Sequence, residues 1–128
     1  MTRIDMLCPR LVVEDADAAI AFYTKALGAD ERERHDDGAG HIVHAELRLG
    51  DHVIMVKDAD EWDQAPTQLG GTPVILYLGV ADVDAVAARM SDAGATVVFP
   101  VGDMEYGRRD ARLRDPYGHL WLLSQPLR

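Results

Sequence analysis

A histidine and a carboxylate two residues apart on an extended segment project from the same face, where they can act as an acid–base pair. His44 and Glu46 have this spacing within the alternating run His41-Ile-Val-His-Ala-Glu-Leu-Arg-Leu-Gly50. Val43, Ala45, Leu47 and Leu49 form one side of the run, and Ile42, His44, Glu46 and Arg48 form the other. The pair therefore stands opposite the face that a half-buried strand would hide. The competing reading is a solvated strand face laced by cross-strand ion pairs, and the two stand level on sequence alone. Other reactive side chains offer less. His41 and His44 differ by three, which on a strand puts them on opposite faces. His52 and His119 follow turn signals and are expected to face solvent. His35 lies in an acidic, flexible-looking stretch, ERERHDD, with no specific role expected. Cys8 has no activating neighbour, so no nucleophilic role is assigned to it. No phosphate loop, nucleophile elbow or zinc-finger spacing occurs.

The elements that must position these residues come from an internal repeat. Residues 11–29, LVVEDADAAIAFYTKALGA, resemble residues 78–95, LGVADVDAVAARMSDAGA, with Asp15 matching Asp82 at a shift of 67. Each segment reads as a strand end followed by an amphipathic helix. Asp15 and Asp82 are suited to cap the first turn by accepting its free amide hydrogens. Ala16, Ala19, Ile20 and Tyr23 share one helical face, as do Val83, Val86, Ala87 and Met90 in the second copy. Gly28 and Gly94 fall where the helices should stop. Strand, turn and return strand follow in both halves: 41–49, Gly50-Asp51 and 52–56 in the first, then 110–114, Asp115-Pro-Tyr-Gly118 and 119–123 in the second. The partners of His44 and Glu46 in the second copy are Asp110 and Arg112. The fold class expected is α+β, two tandem βαβββ modules making a curled mixed sheet around a cavity, helices on the convex side. Module one covers about residues 4–57, a polar linker 58–72 and module two about 73–126, together one domain of 128 residues.

Composition narrows the function classes. An apolar share of 48% and a charged share of 27% describe an ordinary globular chain. A net charge of −9 argues against nucleic acid and anionic membrane surfaces as partners. No apolar run reaches the length of a membrane span, the first residues do not read as a signal peptide, and the single cysteine cannot form an internal disulfide. The cytoplasm is the expected location.

The motifs FYTKALG (22–28), HAEL (44–47), YGRRDARLRDP (106–116) and DPYGHLW (115–121), in this order and at this spacing, resemble the vicinal-oxygen-chelate superfamily. That is the group of glyoxalase I, the dioxygenases and the bleomycin-resistance proteins, and the resemblance covers essentially the whole chain. It implies two half-sheets around a ligand cavity and a homodimer. Metal-dependent members hold a divalent ion on four side chains, two per module, typically His and Glu. Alignment on the motifs places those positions at Cys8, Met55, Ile75 and Leu122. Ile75 and Leu122 have no donor atoms, and Cys8 and Met55 offer soft sulfur that suits oxygen-chelating ions poorly. No metal at these positions and no cofactor are therefore expected.

Four such side chains instead make an apolar floor of the kind that holds a hydrophobic small molecule. Arg10 and Tyr77 share parity with Cys8 and Ile75, and are expected to point into the same cavity. Trp62 in the linker and Tyr106 before the YGRRD run are aromatics placed to stack on a planar ligand at its mouth. With His44, Glu46 and Arg112 these complete the expected ligand-binding set. The expected function is sequestration of a hydrophobic or cationic compound such as an antibiotic, without metal. The alternative is a lyase or isomerase of the glyoxalase type that uses the His44–Glu46 pair or a relocated metal.

Overall fold

The first turn of each long helix is closed by two side chains, and the two copies do it alike. In the computed structural model, which describes residues 1–127, Asp15 accepts from the Ala18 amide and Asp82 from the Ala85 amide, both at 3.1 Å. The next orphan donor of each helix is met from a distant strand. The Ala16 amide donates to Asp58 and the Val83 amide to Gln125, each at 2.7 Å and again 67 residues apart. Between these caps and their stops run α1 (Ala16–Leu27) and α3 (Val83–Asp92). Gly28 ends α1 in the left-handed conformation at φ 69°, which a residue with a Cβ adopts only at a cost.

The remaining elements are β1 (Arg10–Val13), β2 (Asp30–Asp36), β3 (Ile42–Leu49), β4 (His52–Asp58), α2 (Pro66–Leu69), β5 (Ile75–Gly79), β6 (Thr96–Asp103), β7 (Arg108–Arg114) and β8 (Leu120–Pro126). The chain is α+β and consists of two βαβββ modules. Their strands form two four-stranded mixed sheets, one per module, in the orders β1-β4-β3-β2 and β5-β8-β7-β6. The first and last strands of each module pair in parallel and the rest antiparallel.

Each sheet buries the face its helix covers. Leu11, Val13, Ala45, Leu47, Ile54 and Val56 lie under α1, and Ala111, Leu113, Trp121 and Leu123 line the covered face of the second sheet. The two helices pack against each other, and one continuous core joins the modules.

Two sequence motifs meet at that junction. Tyr23, from FYTKALG, donates its hydroxyl to Asp115 of DPYGHLW at 2.5 Å, and Trp121 Nε1 donates to the same carboxylate at 2.9 Å. The other Asp115 oxygen accepts from the Tyr117 and His119 amides. All three side chains are buried.

The polar segment 58–72 contains the short helix α2, and Lys57 just before it is a buried strand residue whose ammonium binds Asp60 and Asp63 at 2.7 and 2.6 Å. Several expectations are corrected. Ile42 is buried and Val43 exposed, the reverse of simple alternation, because the β2–β3 register shifts between His35 and Asp36. His35 lies in β2, not in a flexible stretch, and His119 turns inward to hydrogen-bond the Val12 carbonyl at 2.9 Å.

Candidate functional site

Strand parity gives each sheet a second face, free of helix, and the predicted site residues that lie on strands fall there. In the second sheet Tyr77 pairs with Leu122 and Leu122 with Arg112, so these three stand in a row across β5, β8 and β7. Ile75 lies two residues before Tyr77 on the same side. Tyr77 is 61% exposed and Ile75 40%, so a large apolar surface stays open. The Arg112 guanidinium lies over the Phe99 ring, 5.2 Å from its centroid, a cation–π geometry that presents a flat, weakly hydrated cation beside Leu122. Its Nε is buried and has no hydrogen-bond partner.

Asp110, two residues from Arg112 on the same side, is buried and accepts from Ser124 at 2.5 Å and from the Tyr106 hydroxyl. Arg108 in turn donates to Ser124 at 2.9 Å. The Tyr106 ring is otherwise 68% exposed, and its hydroxyl is pushed above its ordinary pKa by the bond to Asp110 first and by partial desolvation second. It is thus anchored at its tip with a ring face available, as an aromatic at a cavity rim requires.

The helix-free face of the first sheet is polar. Arg10 pairs with Met55 and Met55 with Glu46, which places the three in the row equivalent to Tyr77, Leu122 and Arg112. The equivalence of Glu46 with Arg112 and of His44 with Asp110 follows from these registers. The Arg10 guanidinium reaches the Val43 carbonyl at 2.9 Å. His44 and Glu46 meet Glu33 of β2, with donor atoms of the three within 4.8 Å of one another. Glu33 was not singled out by the sequence, because only the β2–β3 register reveals what it faces. The same holds for Phe99, which sits opposite Arg112.

Two of the predicted residues are less engaged. Cys8 precedes β1, is half-buried, and has its thiol 3.8 Å from Met6 sulfur. Trp62 follows β4 in a loop pinned by the Asp60 carboxylate, which accepts from the Trp62 and Asp63 amides, and its ring is 83% exposed.

The four positions where metal-dependent relatives would chelate do not make a donor set. Leu122 and Ile75 sit on the second sheet and Met55 on the first. Of the four, Cys8 offers a thiol and Met55 a thioether, Ile75 and Leu122 offer no donor atom, and none is a carboxylate or an imidazole. No step of a metal-assisted reaction is assigned to these positions.

Paired βαβββ modules with an open face on each sheet define a class of proteins built around a ligand cavity rather than around a nucleophile or a phosphate loop. The chain belongs to the Glyoxalase/Bleomycin resistance protein/Dioxygenase superfamily, whose family model matches residues 3–123. It is 44% identical over 127 residues to an uncharacterized protein of Mycobacterium bovis, covering 95% of this chain and 84% of that one. Among solved structures it is similar to TioX from Micromonospora sp. ML1, with 30% identity, a TM-score of 0.75 and coverage of 94% and 98% of the two chains. It also shares its fold with the fosfomycin resistance protein FosX of Listeria monocytogenes, at 15% identity, a TM-score of 0.74 and coverage of 99% and 94%. No helix among the described residues is long and apolar enough to cross a membrane.

Proposed function

We propose that this protein binds a hydrophobic or cationic small molecule, such as an antibiotic, on the helix-free face of its second sheet, and holds it without chemical change. The observation that carries this reading is the row Tyr77–Leu122–Arg112, with Phe99 under the guanidinium and Ile75 beside it. A planar compound meets aliphatic carbon from Leu122 and Ile75, an aromatic face from Tyr77, and a flat delocalised cation on which rings stack. Aliphatic residues at two chelating positions leave the ligand with contact surface where metal-dependent relatives supply a Lewis acid. The bleomycin-resistance branch of the superfamily supports a binding role over turnover.

The binding site is completed by a second copy of the chain. The predicted ligand-binding residues on strands are divided between two sheets, and each sheet presents an open face. Pairing the first sheet of one chain with the second sheet of another brings Arg10, His44, Glu46 and Met55 opposite Tyr77, Arg112 and Leu122. Such an isologous arrangement makes two equal sites per dimer.

Native mass spectrometry against a panel of antibiotics, run in chelator, tests the reading. The expected result is a dimer carrying two unmodified ligands. A chain that sediments near its monomer mass of 14.1 kDa at micromolar concentration removes the dimer. Turnover of α-keto aldehydes or catechols by the chelated protein removes the sequestration role.

A further inference from the structure

We propose that Glu33, His44 and Glu46 form a divalent-metal site on the helix-free face of the first sheet, separate from the superfamily's chelating positions. Across the antiparallel β2–β3 pair, Glu33 faces Glu46 and His35 faces His44. The four side chains make a two-by-two patch on one side of the sheet. Glu33 lies between the rings, 3.2 Å from His35 Nε2 and 3.4 Å from His44 Nε2, and the two imidazoles stack with centroids 6.1 Å apart. Donor atoms of Glu33, His44 and Glu46 already lie within 4.8 Å of one another. Zinc held about 2.0–2.2 Å from each donor needs them roughly 3.5 Å apart. All three side chains are partly exposed, so modest rotation closes the set.

The register supplies an independent reason. Like charges directly opposite on paired strands destabilise a sheet, and Glu33 and Glu46 are such a pair. A β-bulge creates it. Pairing runs from Glu31↔Leu47 to Glu33↔Glu46, so Arg32 is the extra residue. Without the bulge, Arg32 would face Glu46 and neutralise its carboxylate, and Arg34 would face His44. Both arginines are instead engaged elsewhere, Arg32 with Asp30 at 3.3 Å and Arg34 with Glu31 and Asp17 at 2.5 and 2.7 Å. The bulge thus exchanges a complementary pair for clustered donors, which is how bulges re-aim side chains beside functional sites. A cation between Glu33 and Glu46 accounts for that exchange.

One imidazole nitrogen and two carboxylate oxygens, with coordination positions open to solvent, suit a first-row divalent ion such as zinc or cobalt better than calcium or magnesium. The site stands on the first sheet alone and does not depend on the organic ligand proposed above, which is tested in chelator.

The chain is stripped with chelator and titrated with Co2+ by visible absorption and with Zn2+ by calorimetry, with no organic ligand present. One equivalent per chain is expected, with d–d bands from cobalt. His44→Ala, Glu33→Gln and Glu46→Gln are each expected to lose the signal while keeping the circular dichroism of the parent. Glu33→Arg is expected to lose metal and melt at a higher temperature, because it replaces the like-charge pair with an opposite one. Absence of saturable binding in the parent overturns the proposal. So does unchanged stoichiometry and affinity in Glu33→Gln and His44→Ala, which would locate the ion elsewhere.

Discussion

Tyr23→Phe removes one hydroxyl from the junction of the two modules and leaves the ring in place. The hydroxyl donates to Asp115 at 2.5 Å inside a core where Tyr23 is fully buried and packs on Trp121, with ring centroids 5.7 Å apart. A buried hydrogen bond to a carboxylate contributes about 1.5–3 kcal/mol net. In a chain of this length each kcal/mol moves Tm by roughly 3–4 °C, so the variant should melt roughly 5–12 °C lower. Asp115→Ala should cost more, about 3–5 kcal/mol, because it strands Tyr23, Trp121 and the Tyr117 and His119 amides together. Adding Tyr23→Phe to Asp115→Ala should then cost almost nothing, a coupling of about 1–3 kcal/mol in a double-mutant cycle. Urea melts of the four proteins measure it. The pH dependence provides a second check. Burial, and then the charge and hydrogen bond of Asp115, hold the Tyr23 phenol well above its ordinary value. The raised folded-state value stabilises the protein fully below about pH 10, and that stability is lost as pH rises above the unfolded value. The parent should therefore weaken steeply above pH 10, and Tyr23→Phe should weaken less steeply. A melting shift below about 2 °C in Tyr23→Phe, or additive losses in the cycle, would show that the modules are joined by packing alone.

Three further outcomes are expected. Leu122→Glu should fold, because Leu122 is only half-buried on the helix-free face, and should abolish binding of a hydrophobic ligand; loss of folding by circular dichroism would refute its placement. Asp58→Ala should lower stability by about 1–3 kcal/mol, since the Ala16 and Ile42 amides both lose their acceptor, and a urea midpoint unchanged from the parent would count against it. Gly118→Ala should destabilise by about 1–3 kcal/mol in the same assay: the residue sits at φ 91°, and an added Cβ would come within 2.8 Å of Pro66 Cβ.

Local sequence determined the parts of this protein whose physics is local. The two Asp caps, the helix faces Ala16–Tyr23 and Val83–Met90, and the stop at Gly28 were legible because 3.6-residue periodicity and orphan amides act within one turn. The 67-residue repeat extended that reading to the paired modules, and the apolar residues at the four chelating positions were visible as residue types. Registers between distant strands were not. That Arg112 covers Phe99, that Glu33 faces Glu46, and that Ile42 is buried while Val43 is not depend on bulges, and one extra residue turns every later side chain to the other face. The division of the predicted site residues between two sheets was likewise decided only in three dimensions. Each sheet has one face to bury and one helix to bury it under, and α1 packing on α3 fixes a single core while leaving the opposite faces open. Periodicity says which face of a strand is apolar. It does not say what, if anything, covers the other.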